Sequence, residues 1–265
     1  MRSRMLIIAE IRADAMPYTG RGSMRDWKEA VYQSYVSSGH IRESGGSAAE
    51  HFEPRRAYLE ALIREHFPSD RDSRVLDIGC GHGALLYFLH RASYRNARGV
   101  DGSKEQVELA KRLGVPCVEL GRALSSLQDC EPASAEVICL FDVLEHLDRQ
   151  EAFELLTEVR RVLSANGVCI GHAPNAEGIF GARIRYGDLT HEQAFTASSI
   201  RQMFGSLQFS AVQCFEDKPI IHGAKSLLRR VIWEVGTTPI RILNMAETGA
   251  SGAILSQNLL FKARR

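Results

Sequence analysis

Val75-Leu76-Asp77-Ile78-Gly79-Cys80-Gly81-His82-Gly83 is the stretch from which the fold is read. An apolar run that ends in glycines describes a short strand and a turn. In such a turn the backbone takes angles closed to other residues or approaches a ligand closely. Dinucleotide folds, phosphate loops and plain turns all share this feature, and two details narrow the choice. The spacing is G-x-G-x-G rather than G-x-G-x-x-G, and no Lys-Ser/Thr pair follows, as a phosphate loop requires. Asp77 stands directly before the glycines, where a carboxylate would repel a pyrophosphate but suits a cation.

Downstream of the loop, residues 84–92 read as a helix and residues 97–101 as a second strand. That strand ends in Asp101, about 22 residues past Gly79, where a carboxylate can accept hydrogen bonds from both hydroxyls of a ribose. The two acids together favour a nucleoside ligand without a diphosphate. Ser103-Lys104-Glu105-Gln106 is a capping-box pattern opening a helix to Leu113. Strands are expected at residues 115–120, 136–141 and 168–172. A periodic helix at 151–163 should be stopped by Ser164-Ala165-Asn166-Gly167. This alternation predicts an α/β fold: a doubly wound, seven-stranded, mostly parallel sheet with helical cap insertions. Ligands of such sheets lie at the carboxyl ends of the strands.

Composition sets bounds on function. Lys and Arg number 33 against 32 Asp and Glu, a net charge of +1, so no general nucleic-acid footprint is present and no nucleic-acid partner is expected. The length and the hydrophobic content of 45% supply a core for one large α/β domain with a cap, or for two small domains. The six cysteines, Cys80, Cys117, Cys130, Cys139, Cys169 and Cys214, form no C-x-x-C pair. They read as reduced thiols of a cytoplasmic protein. The apolar run at residues 5–9 is too short for a signal-peptide core, no stretch is long enough to span a bilayer, and Met24 is an alternative start.

Residues 74–174 resemble class I S-adenosylmethionine-dependent methyltransferases in motif and in order. The glycine stretch is similar to their first motif and Gly99-Val100-Asp101 to their ribose motif. Phe141-Asp142-Val143-Leu144-Glu145-His146-Leu147 resembles their fourth-strand motif, and Arg161-Val162-Leu163-Ser164-Ala165-Asn166-Gly167 the turn after it. The resemblance implies S-adenosyl-L-methionine as cofactor, held through Asp77, Gly79, Cys80, Gly81, Asp101, Gly102 and Asp142. Many members carry an acid after the third strand for the adenine amine. Gly121-Arg122-Ala123-Leu124 stands there instead, so the adenine contact is left unassigned.

Methyl transfer from a sulfonium is an in-line displacement that needs alignment of the acceptor and, for a hydroxyl acceptor, a base. His146, just beyond the fourth strand, and His191, in Gly187-Asp188-Leu189-Thr190-His191-Glu192, are the catalytic candidates. His146 can equally orient its loop. The second segment can equally be a helix cap and turn, with Asp188 and Glu192 as contacts to sugar hydroxyls. One short segment supplies too few ligands for a metal, and none is expected.

That segment, Tyr32-Gln33-Ser34-Tyr35, His222-Gly223-Ala224-Lys225-Ser226 and Glu247-Thr248-Gly249 resemble methyltransferases of bacterial polysaccharide and glycolipid biosynthesis. This implies O-methylation of a saccharide or glycan intermediate. A quinone-like small-metabolite acceptor and a non-catalytic methyltransferase-like binding module are the alternatives.

Residues 1–53 are expected to form an N-terminal extension and cap, with a helix near residues 26–36. Residues 54–265 form the methyltransferase domain, Pro54 opening its first helix, with insertions at about 175–195 and 218–252. Late elements are expected at residues 196–207 (helix), 209–216 (strand) and 254–262 (strand). Residues 224–235 carry one apolar helical face beside Lys225, Arg229 and Arg230. It is expected to pack on the sheet or at a homodimer interface, with peripheral membrane contact as the alternative.

Overall fold

The computed structural model describes Trp27, Lys28, Val31 and residues 46–265. The helix expected near residues 26–36 falls largely outside these, although Trp27, Lys28 and Val31 are helical; the 32–35 motif and Met24 lie outside the described residues. Seven strands form one sheet: β1 (Val75–Ile78), β2 (Ala97–Asp101), β3 (Val118–Leu120), β4 (Ala135–Phe141), β5 (Leu163–Pro174), β6 (Ser210–Glu216) and β7 (Asn258–Arg264). Their spatial order is β3-β2-β1-β4-β5-β7-β6, and only β7 runs antiparallel to its neighbours. This is the doubly wound sheet expected from the sequence, with its chain reversal between β1 and β4.

The helices are α1 (Ala48–His66), α2 (Ala84–Arg91), α3 (Lys104–Arg112), α4 (Ala123–Gln128), α5 (Arg149–Val162), α6 (Gly181–Arg185), α7 (Ala197–Ser206) and α8 (Ala224–Thr248). Successive strand residues point to opposite faces, and the core divides accordingly. Leu76, Ile78, Ile138 and Leu140 join the helix α5 and α7 side, whereas Val75, Val137 and Cys139 join the side covered by α1, α2 and α3. Asp77 shares the register of this second set, so its carboxylate occupies a core position and is 2% exposed.

Several boundaries differ from expectation for local reasons. Helix α1 opens at Ala48, because Ser47 and Glu50 form a reciprocal capping box, and Pro54 lies inside the helix. The helix thus runs across the expected boundary at 53/54. Ser164-Ala165-Asn166-Gly167 does end α5, yet it bulges within β5: Ala135 pairs with Leu163 and Val137 already with Val168. Strand β3 is shorter than expected and β7 begins later. Helix α8 runs the full 25 residues, and its apolar face is exposed instead of packing on the sheet.

One glycine is set by the sheet itself. At Gly171 a Cβ would collide with the Phe261 ring and stand 2.6 Å from the Leu140 carbonyl oxygen. Gly171→Ala is therefore expected to cost about 1–3 kcal/mol through overpacking. Gly205→Ala, in α7 with nothing within 4 Å, should be neutral or stabilising by up to about 1 kcal/mol. Urea denaturation of the two variants checks the contrast; equal midpoints would refute it.

Candidate active site

The glycine loop is built by three left-handed residues: Gly79 (φ 72°), Gly81 (φ 56°) and Gly83 (φ 82°). A Cβ at Gly79 would strike Val143, and one at Gly83 would strike Val115, so the glycines serve close packing as well as the turn. The loop is tied to β2. Gly79 and Cys80 donate to the Val100 carbonyl (2.8 and 3.0 Å), and Gly81 N–H donates to Asp101 Oδ2 (2.8 Å). Asp101 Oδ1 accepts from Ser103 N–H (2.8 Å), and Ser103 caps α3. The Cys80 side chain lies against Gly99, and burial, then Asp77 and Asp101, push its thiol up. Beside Gly102 there is open space, since a Cβ there would meet only the Gly121 oxygen at 4.0 Å.

Above the loop sits the start of α1. The Phe52 ring stacks on His82 at 5.4 Å, and His82 Nδ1 meets Gln106 Oε1 at 3.0 Å. Burial lowers His82 to about 4, which keeps it neutral. Burial, then the Asp101 charge, raises Asp77 to about 8. Asp101 is raised too by burial, against the pull of its two backbone donors. Two carboxyls that ionise reluctantly side by side are a ready site for positive charge.

Asp142, at the end of β4, takes a left-handed φ of 57°, which Asp tolerates better than most residues. Its Oδ1 meets His172 Nδ1 at 2.6 Å, and Asp217 meets the other ring nitrogen at 3.2 Å. Burial alone would lower His172, but the two carboxylates outweigh it and hold the imidazolium up to about 10. Burial opposes ionisation of Asp142 as well, and the His172 charge overcomes it, keeping the carboxyl below its ordinary value. The Tyr58 hydroxyl is buried close to both acids; burial, then Asp217 and Asp142, hold it protonated.

The next turn, a 3-10 helix at Leu144–His146, carries the histidine candidate. His146 Nδ1 lies 2.8 Å from Thr190 Oγ1, whose hydroxyl donates to Asp188 Oδ1 at 2.6 Å. With the Thr190 proton committed to Asp188, His146 donates from Nδ1 and keeps its lone pair on Nε2. His191 is held the same way. Its Nδ1 faces the Ile184 carbonyl (3.0 Å), so Nε2 again carries the lone pair, 4.0 Å from Glu145 Oε1. The two imidazoles lie edge to face at 4.7 Å.

Glu145 is 1% exposed and its Oε2 lacks any hydrogen-bond partner; burial, then the Asp142 charge, raise its carboxyl well above the ordinary range. Burial, then His191, lower His146 to about 4. Among the described residues, Glu145, His146 and His191 can hold a metal ion, their ligand atoms lying within 4.8 Å of one another. The sequence showed only the single segment around His191.

The insertion is anchored at its base by Asn175, whose amide donates to the Ile254 and Ser256 carbonyls (2.7 and 2.8 Å). The Glu145 carbonyl accepts from Glu192 N–H (2.7 Å). Asp188 and Glu192 do not stand free for sugar hydroxyls: Asp188 is 8% exposed beneath Thr190, and Glu192 pairs with Lys28 at 2.7 Å. Asp77, Gly79, Cys80, Gly81, Asp101, Gly102 and Asp142 thus line the carboxyl edge of β1, β2 and β4, and the insertion brings His191 to His146. Sequence reasoning missed Tyr58, His172 and Asp217, and also Arg55, whose charge favours ionisation of both Asp77 and Asp142. His172 had a signal in its place at the carboxyl end of β5; the others lie on elements with no motif.

A left-handed glycine loop after β1, tied to a carboxylate at the end of β2 in a doubly wound sheet, defines a class of α/β nucleoside-cofactor proteins. Residues 50–214 match the model of a family described as a methyltransferase domain, and the chain belongs to that family. It is an S-adenosylmethionine-dependent methyltransferase. It is similar to the mitochondrial ubiquinone biosynthesis O-methyltransferase of Candida albicans, 32% identical over 95 residues. That match spans 34% of this chain and 29% of the relative, under a third of the relative's length.

Solved structures share the fold. A SAM-dependent methyltransferase from Archaeoglobus fulgidus has a TM-score of 0.60 at 21% identity, covering 87% of this chain and 99% of that one. A possible histamine N-methyltransferase from Thermotoga maritima has 0.58 at 14%, covering 88% and 97%. The Haemonchus contortus phosphoethanolamine N-methyltransferase 2, in complex with S-adenosyl-L-methionine, has 0.59 at 15%, covering 93% and 60%.

The raised Asp77 has a measurable consequence. Near pH 7 its carboxyl is largely protonated in the free protein, and a bound cation favours the ionised form. S-adenosylmethionine binding at pH 7 is expected to release up to one proton, vanishing well above pH 8. Calorimetric enthalpies in buffers of different ionisation heat read this directly. Asp77→Asn should remove the buffer dependence and weaken binding; a wild-type enthalpy independent of buffer would contradict the assignment.

Proposed function

We propose that this methyltransferase methylates a hydroxyl group of a small-molecule acceptor, with His146 as the proton acceptor. The observation that carries this reading is the Asp188–Thr190–His146 relay, which fixes the tautomer of His146, proton on Nδ1, in the turn that follows β4. When bound, S-adenosylmethionine supplies an electrophilic methyl group on a sulfonium. Asp101 would hold the ribose hydroxyls, since each carboxylate oxygen has a further lone pair beyond its backbone donor. Gly79, Cys80, Gly81 and Gly102 would line the cofactor, and Asp77 and Asp142 would supply negative charge toward its cationic end. This donor set fits the cofactor, because buried carboxyls with raised pKa values gain most from a cation.

A hydroxyl that attacks a methyl carbon becomes an oxonium, whose proton is far more acidic than an imidazolium's. A histidine lowered to about 4 therefore still accepts it, and stays neutral and ready at pH 7. The similarity to the Candida albicans ubiquinone biosynthesis O-methyltransferase supports O-methylation of a quinone-like small metabolite. The saccharide implied by the looser motif resemblance gains no support from the relatives, and a screen should hold both classes.

His146→Ala is expected to lower kcat by about 10²-fold or more with S-adenosylhomocysteine affinity changed little. Asp101→Ala should instead lose affinity. At saturating S-adenosylmethionine, the acid limb of kcat should follow the lowered pKa, activity falling as pH drops through about 4 and not through the ordinary histidine range. A limb near pH 6.5, or an unaffected His146→Ala, would remove the histidine from the reaction.

A second reading is favoured by the orphaned Glu145 Oε2: the Glu145, His146 and His191 set holds a divalent cation that polarises the acceptor hydroxyl. Both histidines are oriented through Nδ1 by partners behind them, as ligating imidazoles are. Manganese titration followed by electron paramagnetic resonance separates the readings. Stoichiometric binding lost in Glu145→Gln supports the cation, and absence of binding with full activity in chelator leaves His146 as the base.

A further inference from the structure

A helix on a globular protein normally buries its apolar stripe and turns its polar side to water. Helix α8 does the reverse. Ser226 and Thr237 are its buried residues, and it is tethered to the body by charge. Arg241 grips both oxygens of Glu216 at 2.6 and 2.7 Å, and Glu234 meets Lys218 at 3.1 Å and Arg230 at 2.8 Å. Facing outward are Leu228 (60% exposed), Ile232 (62%), Val235 (68%), Ile242 (56%) and Leu243 (69%). With 3.6 residues per turn, the outward apolar side chains cover roughly 160° of the circumference along a helix about 37 Å long.

We infer that α8 is a lipid-surface helix, which lies with this stripe in the headgroup boundary of an anionic bilayer. Two observations favour a bilayer over a second copy of the chain. The stripe is aliphatic throughout; Trp233, the helix's sole aromatic residue, is half-buried, whereas protein interfaces draw most of their energy from Trp, Tyr and Arg anchors. The charge beside the stripe is positive: Lys225 and Arg229 are exposed, and between residues 225 and 243 the sole acid, Glu234, is already paired. That pattern complements anionic headgroups.

The tethers of α8 also place it with the active site. Glu216 and Lys218 flank Asp217, which bonds His172 at the carboxyl end of β5. A helix bound to lipid at this point brings the reactive edge of the sheet beside the bilayer surface. The inference does not depend on methyl transfer, because it rests on the surface of α8 alone.

The test is flotation of the full chain with phosphatidylcholine vesicles with and without phosphatidylglycerol, alongside light scattering for oligomeric state. Wild type should float with the anionic vesicles. Val235→Glu combined with Leu243→Glu should abolish flotation, and Lys225→Gln with Arg229→Gln should weaken it by about thirtyfold. Calorimetry with S-adenosylhomocysteine should give unchanged affinity for these variants, which shows that they fold. Absence of flotation by wild type, or flotation unaffected by Val235→Glu with Leu243→Glu, overturns the proposal. A dimer that those substitutions dissolve, without lipid binding, assigns the stripe to a second copy and overturns it too. A monomer without lipid binding assigns its cover to the N-terminal residues and likewise overturns it. Loss of S-adenosylhomocysteine binding by wild type would count against the cofactor reading alone.

Discussion

A carboxylate placed at a core position governs the architecture of this site. Asp77 occupies the register of Val75 and Cys139, among apolar side chains, and is almost fully buried. Removing a carboxylate from water is costly unless charge or hydrogen bonds compensate. The chain compensates its neighbour Asp101 with two backbone donors but leaves Asp77 to its raised pKa. The hydrogen bonds to Asp101 are also what fold the glycine loop over the end of β1. Loop shape and two buried carboxyls thus meet at the same few atoms.

Further along the edge the same logic recurs with histidines. His172 stands between two carboxylates and is held as a cation, whereas burial outweighs the charges around His146 and His82 and keeps both neutral. One residue type therefore takes opposite charge states at three places along the edge, and environment alone assigns them. The insertion after β5 matters chiefly because it delivers Asp188, Thr190 and His191 to the 3-10 turn. Its own acids serve to orient and to pin the loop.

Helix α8 is the exception to the packing logic of the other helices. Elsewhere apolar stripes meet the sheet, as Leu155, Leu156 and Val159 of α5 do. On α8 the polar side is taken up by ion pairs with the chain around the end of β6, and a large apolar patch is left outward. Patches of that kind on soluble proteins mark surfaces that meet something.

Much of this was legible in the sequence. The strand–helix rhythm, the glycine spacing and the acids at Asp77 and Asp101 are local patterns, and local patterns survive without knowledge of the fold. Misplaced boundaries had local causes as well: the Ser47 and Glu50 box, not Pro54, opens α1, and residues 164–167 are a bulge where a plain turn was expected. What periodicity cannot reveal is direction and company. The apolar spacing of α8 was plain, but which side of the helix faces the body depends on Glu216 and Lys218, supplied from another element. Likewise His146 and His191 were each visible, yet their pairing, their tautomers and the orphaned Glu145 exist only once the insertion folds back over the turn. The sheet, the cofactor loop and the residues with chemical capacity were therefore contained in the sequence, because they follow from short-range pattern. Protonation, partnership and exposure had to await the folded chain, because they are set by neighbours distant along it.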